Sequence, residues 1–105
     1  MSTTMKPLFI PLKSEFYDGF LSGDKRSELR LYGPRWNERT CPAGRAVILS
    51  KGYGKRNRIT GVICQFLKRD ARTFGSTYQN EILRCYGTLD KPIAELRIKL
   101  DERTE

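Results

Sequence analysis

Apolar and polar residues alternate twice along this chain, and between those stretches they recur at helical spacing. In "RSELRLY", Arg26 to Tyr32, the residues Ser27, Leu29 and Leu31 fall on one side of an extended strand, and Arg26, Glu28, Arg30 and Tyr32 on the other. In "KPIAELRIKL", Lys91 to Leu100, alternation predicts Ala94, Leu96, Ile98 and Leu100 inward and Glu95, Arg97 and Lys99 outward. "RAVILSKGYG" carries a fully apolar strand, Ala46 to Leu49, and "ITGVICQFLKR", Ile59 to Arg69, reads as a long one. In that long strand Gly61 marks a bulge or a close backbone approach, and Cys64 shares a core-facing side with Val62 and Phe66. "KPLFIPL", Lys6 to Leu12, is short, apolar and bounded by prolines, which suits a first strand at a sheet edge.

Two stretches change to the helical period. "SEFYDGFLSG" places an N-cap at Ser14, Phe16, Phe20 and Leu21 on one face with Tyr17 alongside, and a glycine stop at Gly23. "STYQNEILRCYG" repeats the design from an N-cap at Ser76 to Gly87, with Ile82 and Leu83 on the apolar face. Between the strands, "RWNERTCPAG" predicts a short helical turn and loop. "DERTE" and the first five residues predict frayed ends. The order strand, helix, three strands, helix, strand predicts an α+β domain: a curled mixed sheet of about five strands, a small β-barrel, with two helices. The connections between its middle strands are too short for the crossover helices of a doubly wound parallel sheet.

Length and composition narrow the reading. A chain of 105 residues is expected to form one domain, 1–105, with a modest core. No stretch approaches the ~20 apolar residues of a membrane helix, and the first residues lack the pattern of a secretory leader, so a cytoplasmic protein without a membrane partner is expected. Cys41, Cys64 and Cys85 are widely spaced and read as free structural thiols. Without histidine the chain has no Cys/His zinc site and no Ser-His-Asp or Cys-His arrangement, so neither metal nor other cofactor is expected. The net charge of +8 attracts polyanions, and RNA or a nucleotide leads the expected partners. An acidic protein partner fits the same field, and a monomer is expected.

Two clusters carry candidate chemistry. The first is Lys25, Glu28 and Arg30: in a cleft, the guanidinium offers a planar fork to phosphate or a base edge, the lysine a point charge, and the carboxylate a positioning partner. On an open face the same residues amount to weak ion pairing. The second joins "RWNER" to "KGYGKRNR". Trp36 or Tyr53 would stack on a base while Arg35, Arg39, Lys55, Arg56 and Arg58 hold phosphates. That glycine-rich loop lacks the spacing of a Walker loop.

"GDKRSELR", Gly23 to Arg30, fits the pattern G-x-K-x-x-E-x-R and resembles the signature of the ASCH family, small proteins similar to the RNA-binding PUA domain. The resemblance extends to the order of helices and strands, and the chain looks especially like the short ASCH proteins of bacteria and their phages. It implies a PUA-like barrel with a cleft beside the first helix, lined by Lys25, Glu28 and Arg30, that binds RNA or nucleotides. One branch of the family resembles an amidohydrolase acting on acetylated cytidine through a Lys, a Thr and a Glu. By that resemblance Lys25 matches the lysine and Glu81 the glutamate, giving Lys25, Glu28 and Glu81 as the catalytic set of an enzyme. The threonine position, however, holds Glu28. A lysine acts as a base only when neutral, a form that a neighbouring carboxylate disfavours. A binding module is therefore the first reading. The second is a hydrolase of acetylated cytidine or of RNA, and the third a protein–protein adaptor.

Overall fold

A computed structural model of the chain describes residues 5–102. The elements run β1 (Leu8–Leu12), α1 (Ser14–Ser22), β2 (Ser27–Leu31), β3 (Ala46–Lys51), β4 (Arg58–Asp70), a single 3-10 turn (Ala71–Thr73), α2 (Ser76–Tyr86) and β5 (Pro92–Leu100). All five strands form one sheet in the order β1-β3-β4-β5-β2. Only β1 and β3 run parallel; the other neighbours are antiparallel. This is the expected small α+β barrel-like fold, with β1 at an edge.

The sheet is strongly curled. Laid flat, five strands would separate the two edges by ~19 Å at the usual strand spacing. Yet the Arg30 guanidinium on β2 donates a 2.8 Å hydrogen bond to the carbonyl of Pro11 on β1. The edges therefore meet across the length of one side chain. No backbone ladder joins β1 to β2 among the described residues, so the barrel keeps a seam there.

Apolar clusters lie on both faces of the sheet. Inside the curl, Ile10, Leu12, Val47, Leu49, Ile59, Ile63, Leu96 and Ile98 pack against Tyr17 and Phe20 of α1. On the outer face a smaller core joins Leu29 and Ile93 to Phe74 and to Ile82 of α2. The register decides where β2 sends its side chains. Glu28 and Arg30 lie opposite Leu96 and Ala94, which belong to the inner core, while Leu29 and Leu31 lie opposite Glu95 and Ile93 on the α2 side. The predicted alternation of β2 holds, with each side meeting a covering layer.

Several local expectations change. Val62 and Cys64 do not face the core as expected: Ile59 and Ile63 take the inner face of this part of β4. Cys64 is therefore exposed and donates to the Arg97 carbonyl at 3.3 Å, and the β4–β5 register shift between Ile63 and Gln65 then returns Phe66 to the inner core. The helices begin one residue earlier than expected: Lys13 and Gly75 are the N-caps, without side-chain capping bonds, and Ser14 and Ser76 are first helical residues. Leu21 and Leu83 are exposed, since the buried stripe runs instead through Tyr17 and Phe20 on α1 and through Tyr78, Ile82 and Tyr86 on α2. Glu95, expected outward into solvent, is 5% exposed; it accepts hydrogen bonds from Ser27 at 2.7 Å and Arg69 at 2.9 Å. The segment 34–44 forms bends and turns without a helix. At the ends, Asp101 is tied to Thr60 by a backbone and a side-chain bond, so fraying does not begin there; residues 1–4 and 103–105 lie outside the described residues.

Gly23 ends α1 in the left-handed region (φ 87°), where glycine carries no Cβ penalty, and turns the chain toward β2. Gly61 marks the close approach: a Cβ there would stand 2.6 Å from the Lys99 carbonyl oxygen. Gly61→Ala is expected to destabilise by roughly 1–3 kcal/mol through forced displacement of β5. Gly54→Ala, where the added Cβ would meet no heavy atom within 4 Å, should stay within about 0.5 kcal/mol. Urea denaturation of both variants checks the pair.

Candidate nucleotide site at the barrel seam

The seam holds a cavity of about 230 Å³. Pro11, Leu12 and Lys13 of β1 and its end form one wall, and Glu28, Leu29 and Arg30 of β2 the other. Phe16 of α1 and Glu81, Ile82, Cys85 and Tyr86 of α2 complete the lining. Two helices and two edge strands thus converge where the barrel fails to close.

Glu28 is the centre of the polar wall. Only 5% of it is exposed, and its Oε2 accepts from Arg30 Nε at 2.7 Å. Lys25 Nζ stands 3.9 Å from its other oxygen and 3.4 Å from Oε2 of Glu81. The structure therefore brings Lys25, Glu28 and Arg30 together and adds Glu81, the residue that the family resemblance indicates. Lys25 does not line the cavity itself. It stands behind the carboxylates, 8% exposed, with its ammonium 4.9 Å from the centre of the Phe16 ring and 5.6 Å from that of Tyr78.

Burial pushes the Glu28 carboxyl above its ordinary value of 4.5, and the lowering pull of Arg30 and Lys25 does not fully offset it. A proton on Glu28 is correspondingly easier to hold than on a surface glutamate. At the far side, Tyr86 donates its hydroxyl to the Leu29 carbonyl at 2.9 Å, and burial pushes its pKa up to about 12. That hydroxyl is a neutral fixture of the wall.

Arg30 is the bridge. It bonds Glu28 on its own strand and Pro11 across the seam, and its guanidinium carbon lies 4.7 Å from the centre of the Trp36 ring. Trp36 is half-buried, packs on the inner core and supports Arg30, with Arg35 5.8 Å from the same ring. Arg35 and Arg39 are exposed beside it.

The basic loop lies apart from the cavity lining. Tyr53 is 81% exposed, with its ring 6.3 Å from that of Phe9, and Lys55 and Arg56 are exposed. None of the three lines the cavity. The loop's root does reach the seam, for the Gly52 N–H donates to the Leu12 carbonyl at 2.9 Å. Arg58 packs against the Phe9 ring at 5.0 Å.

Sequence reasoning missed Phe16, Tyr86 and the Pro11 carbonyl as parts of the site. The aromatics carried a helical-spacing signal that read equally well as core. The carbonyl carried none. Among the described residues no group of three His, Cys, Asp or Glu side chains is placed to hold a metal, and no helix is long and apolar enough to cross a membrane.

Two stability measurements follow. Removing Arg30 leaves a buried carboxylate facing only Lys25, so Arg30→Ala is expected to cost roughly 3 kcal/mol, the low end for a broken buried pair; equilibrium unfolding measures it. Because the folded-state pKa of Glu28 is raised, its contribution to folding is fullest below the unfolded value and is lost as pH rises through the folded value. The stability of the wild type relative to Glu28→Gln should therefore fall as pH rises above the ordinary carboxylate value of 4.5. A difference that grows with pH would contradict the burial argument.

No family model matches the sequence, and no curated protein matches it. Among solved structures, the chain is similar to a tyrosine-to-phenylalanine mutant of ZmASCH from Zymomonas mobilis. The TM-score is 0.62 at 16% identity, over 90% of this chain and 70% of that one. The described chain has an ASCH-like fold.

Proposed function

We propose that the protein binds RNA or a modified nucleotide, with one base seated in the seam cavity. The observation that carries this reading is the convergence of Glu28, Arg30 and Glu81 on a small cavity with aromatic flanks. Its volume of about 230 Å³ lies below the roughly 300–1,000 Å³ of drug-sized ligand sites, so it suits a single ring system. Base edges present both donors and acceptors. The Arg30 guanidinium has N–H capacity beyond its bonds to Glu28 and Pro11, and would donate to a ring nitrogen or carbonyl. Glu28 and Glu81 would accept from an exocyclic amino group, while Phe16 and Tyr86 offer apolar surface to the ring. The ASCH-like fold and the net charge of +8 support the same class of ligand. In this reading Arg35, Trp36 and Arg39 flank the seam, and Tyr53, Lys55 and Arg56 meet the strand beyond it.

A second reading, hydrolysis, draws on the position of Glu81, 3.4 Å from Lys25. A carboxylate pair around one ammonium, with Glu28 able to carry a proton, would serve to activate water against an amide or ester. No serine or threonine lines the cavity, so water and not a side-chain hydroxyl would be the nucleophile. Incubation with acetylated cytidine and with short RNAs tests it. Product that Lys25→Ala abolishes would establish turnover.

For binding, fluorescence anisotropy with short single-stranded RNAs and calorimetry with nucleosides are the direct tests. Glu28→Gln, which preserves shape, should weaken nucleotide binding about tenfold, the loss of one charged hydrogen bond. Arg30→Ala, checked for folding by circular dichroism, should weaken it at least as much. Wild-type affinity in both variants would sink the proposal.

A further inference from the structure

A second groove begins where the first site ends. Lys25, whose ammonium faces Glu28 and Glu81, also lines a hollow of about 540 Å³ on its other side. It wraps the end of β5: Phe20, Ile98 and Leu100 give it an apolar lining on the inner side, and Arg97 and Lys99, which alternate with them, line it from the other side, with Arg26 across the gap. No aspartate or glutamate lines it. This hollow exists because β5 outruns β2: Ile98 donates to the carbonyl of Arg26, one residue before β2 begins, and Lys99 and Leu100 continue beyond that contact. Arg26 and Lys99 are exposed and form no salt bridge with any described residue. Arg97 is partly occupied, by Gln65 at 3.1 Å and more loosely by buried Glu95 at 3.5 Å.

We propose that this groove is a phosphate track for single-stranded nucleic acid, holding the backbone of nucleotides adjacent to the one whose base enters the seam. The inference rests on the nucleotide reading above and deepens it: the ligand is an oligonucleotide, not a free nucleoside. Arg97 and Lys99 are two residues apart on one strand, so their side chains leave the same face about 7 Å apart and meet successive groups along an extended polyanion. Arg26 supplies a third cation from the facing segment, as a planar fork for phosphate oxygens. An acidic peptide would satisfy the charges equally well. The base-sized cavity one lysine away favours nucleic acid. A strand also tolerates the apolar part of the lining, which offers surface to sugars and base faces.

The test compares a single-stranded RNA of about eight nucleotides with a mononucleotide, across a salt series. Arg26→Ala/Lys99→Ala should weaken oligonucleotide binding about tenfold or more. Removing two phosphate contacts should also reduce the slope of log K against log salt by about 1.4. Mononucleotide binding should remain within about twofold of wild type, since neither residue lines the seam cavity. A control, Lys6→Ala/Lys91→Ala, removes equal charge from exposed positions outside both sites. The track is overturned if the groove variant binds the oligonucleotide as wild type does. It is equally overturned if the control weakens binding as much, or if an acidic peptide of matched charge displaces the RNA as well as unlabelled RNA does. Should the groove variant lose oligonucleotide binding while Glu28→Gln and Arg30→Ala do not, the track stands and the seam reading falls.

Discussion

The Arg30 side chain holds the two free edges of the sheet together. Five strands curl far enough to bring β1 and β2 into reach, but no ladder bonds pass between them, and one guanidinium spans the gap from Glu28 to the Pro11 carbonyl. A closed ladder would fill the seam with backbone. A wider opening would leave Glu28 in bulk water, where such a pair contributes only ~0–1 kcal/mol. At the observed spacing the seam is wide enough for a small planar guest and narrow enough to desolvate the acid that would recognise it. On the proposed reading, folding and recognition would draw on the same hydrogen bonds.

That arrangement carries a cost which the surrounding layers offset. Burying Glu28 is unfavourable, as its raised pKa records, and its ion pairs compensate only in part. The apolar layers above and below supply the remainder: α1 presses Tyr17 and Phe20 into the inner core, and α2 closes the outer face through Ile82. β2 is common to both. Its even-numbered residues furnish the polar wall while its odd-numbered neighbours, Leu29 and Leu31, anchor the strand beneath α2. A five-residue strand can thus display charge in a dry place because its other side is fixed. Lys25 extends the same logic, lying between two carboxylates on one side and a basic groove on the other.

Much of this was legible in the sequence, for a physical reason: a strand's period of two and a helix's stop at glycine are local properties. The alternation from Arg26 to Tyr32 placed Glu28 and Arg30 on one face, and Gly23 and Gly87 mark the ends of both helices. Properties set by distant partners were not legible. The register shift at Cys64 depends on how β4 meets β5: Ile59 and Ile63 face the core before it and Phe66 after it, so no single alternation assigns the whole strand. Glu95 looks solvent-exposed by alternation, yet Ser27 and Arg69 enclose it. Adjacent apolar pairs such as Ile82 and Leu83 leave the buried stripe undetermined until a partner layer exists. The resemblance that pointed to Glu81 covered what periodicity could not, and the Pro11 carbonyl had no signal at all.

The most direct measurement is a crystal structure of the protein with a short single-stranded RNA bound. The account predicts one base inserted between β1 and β2, its edge within hydrogen-bond distance of Glu28 and Arg30. RNA lying on the outer face of the sheet or on the Lys51–Arg58 loop alone, with the seam filled only by water, would contradict it.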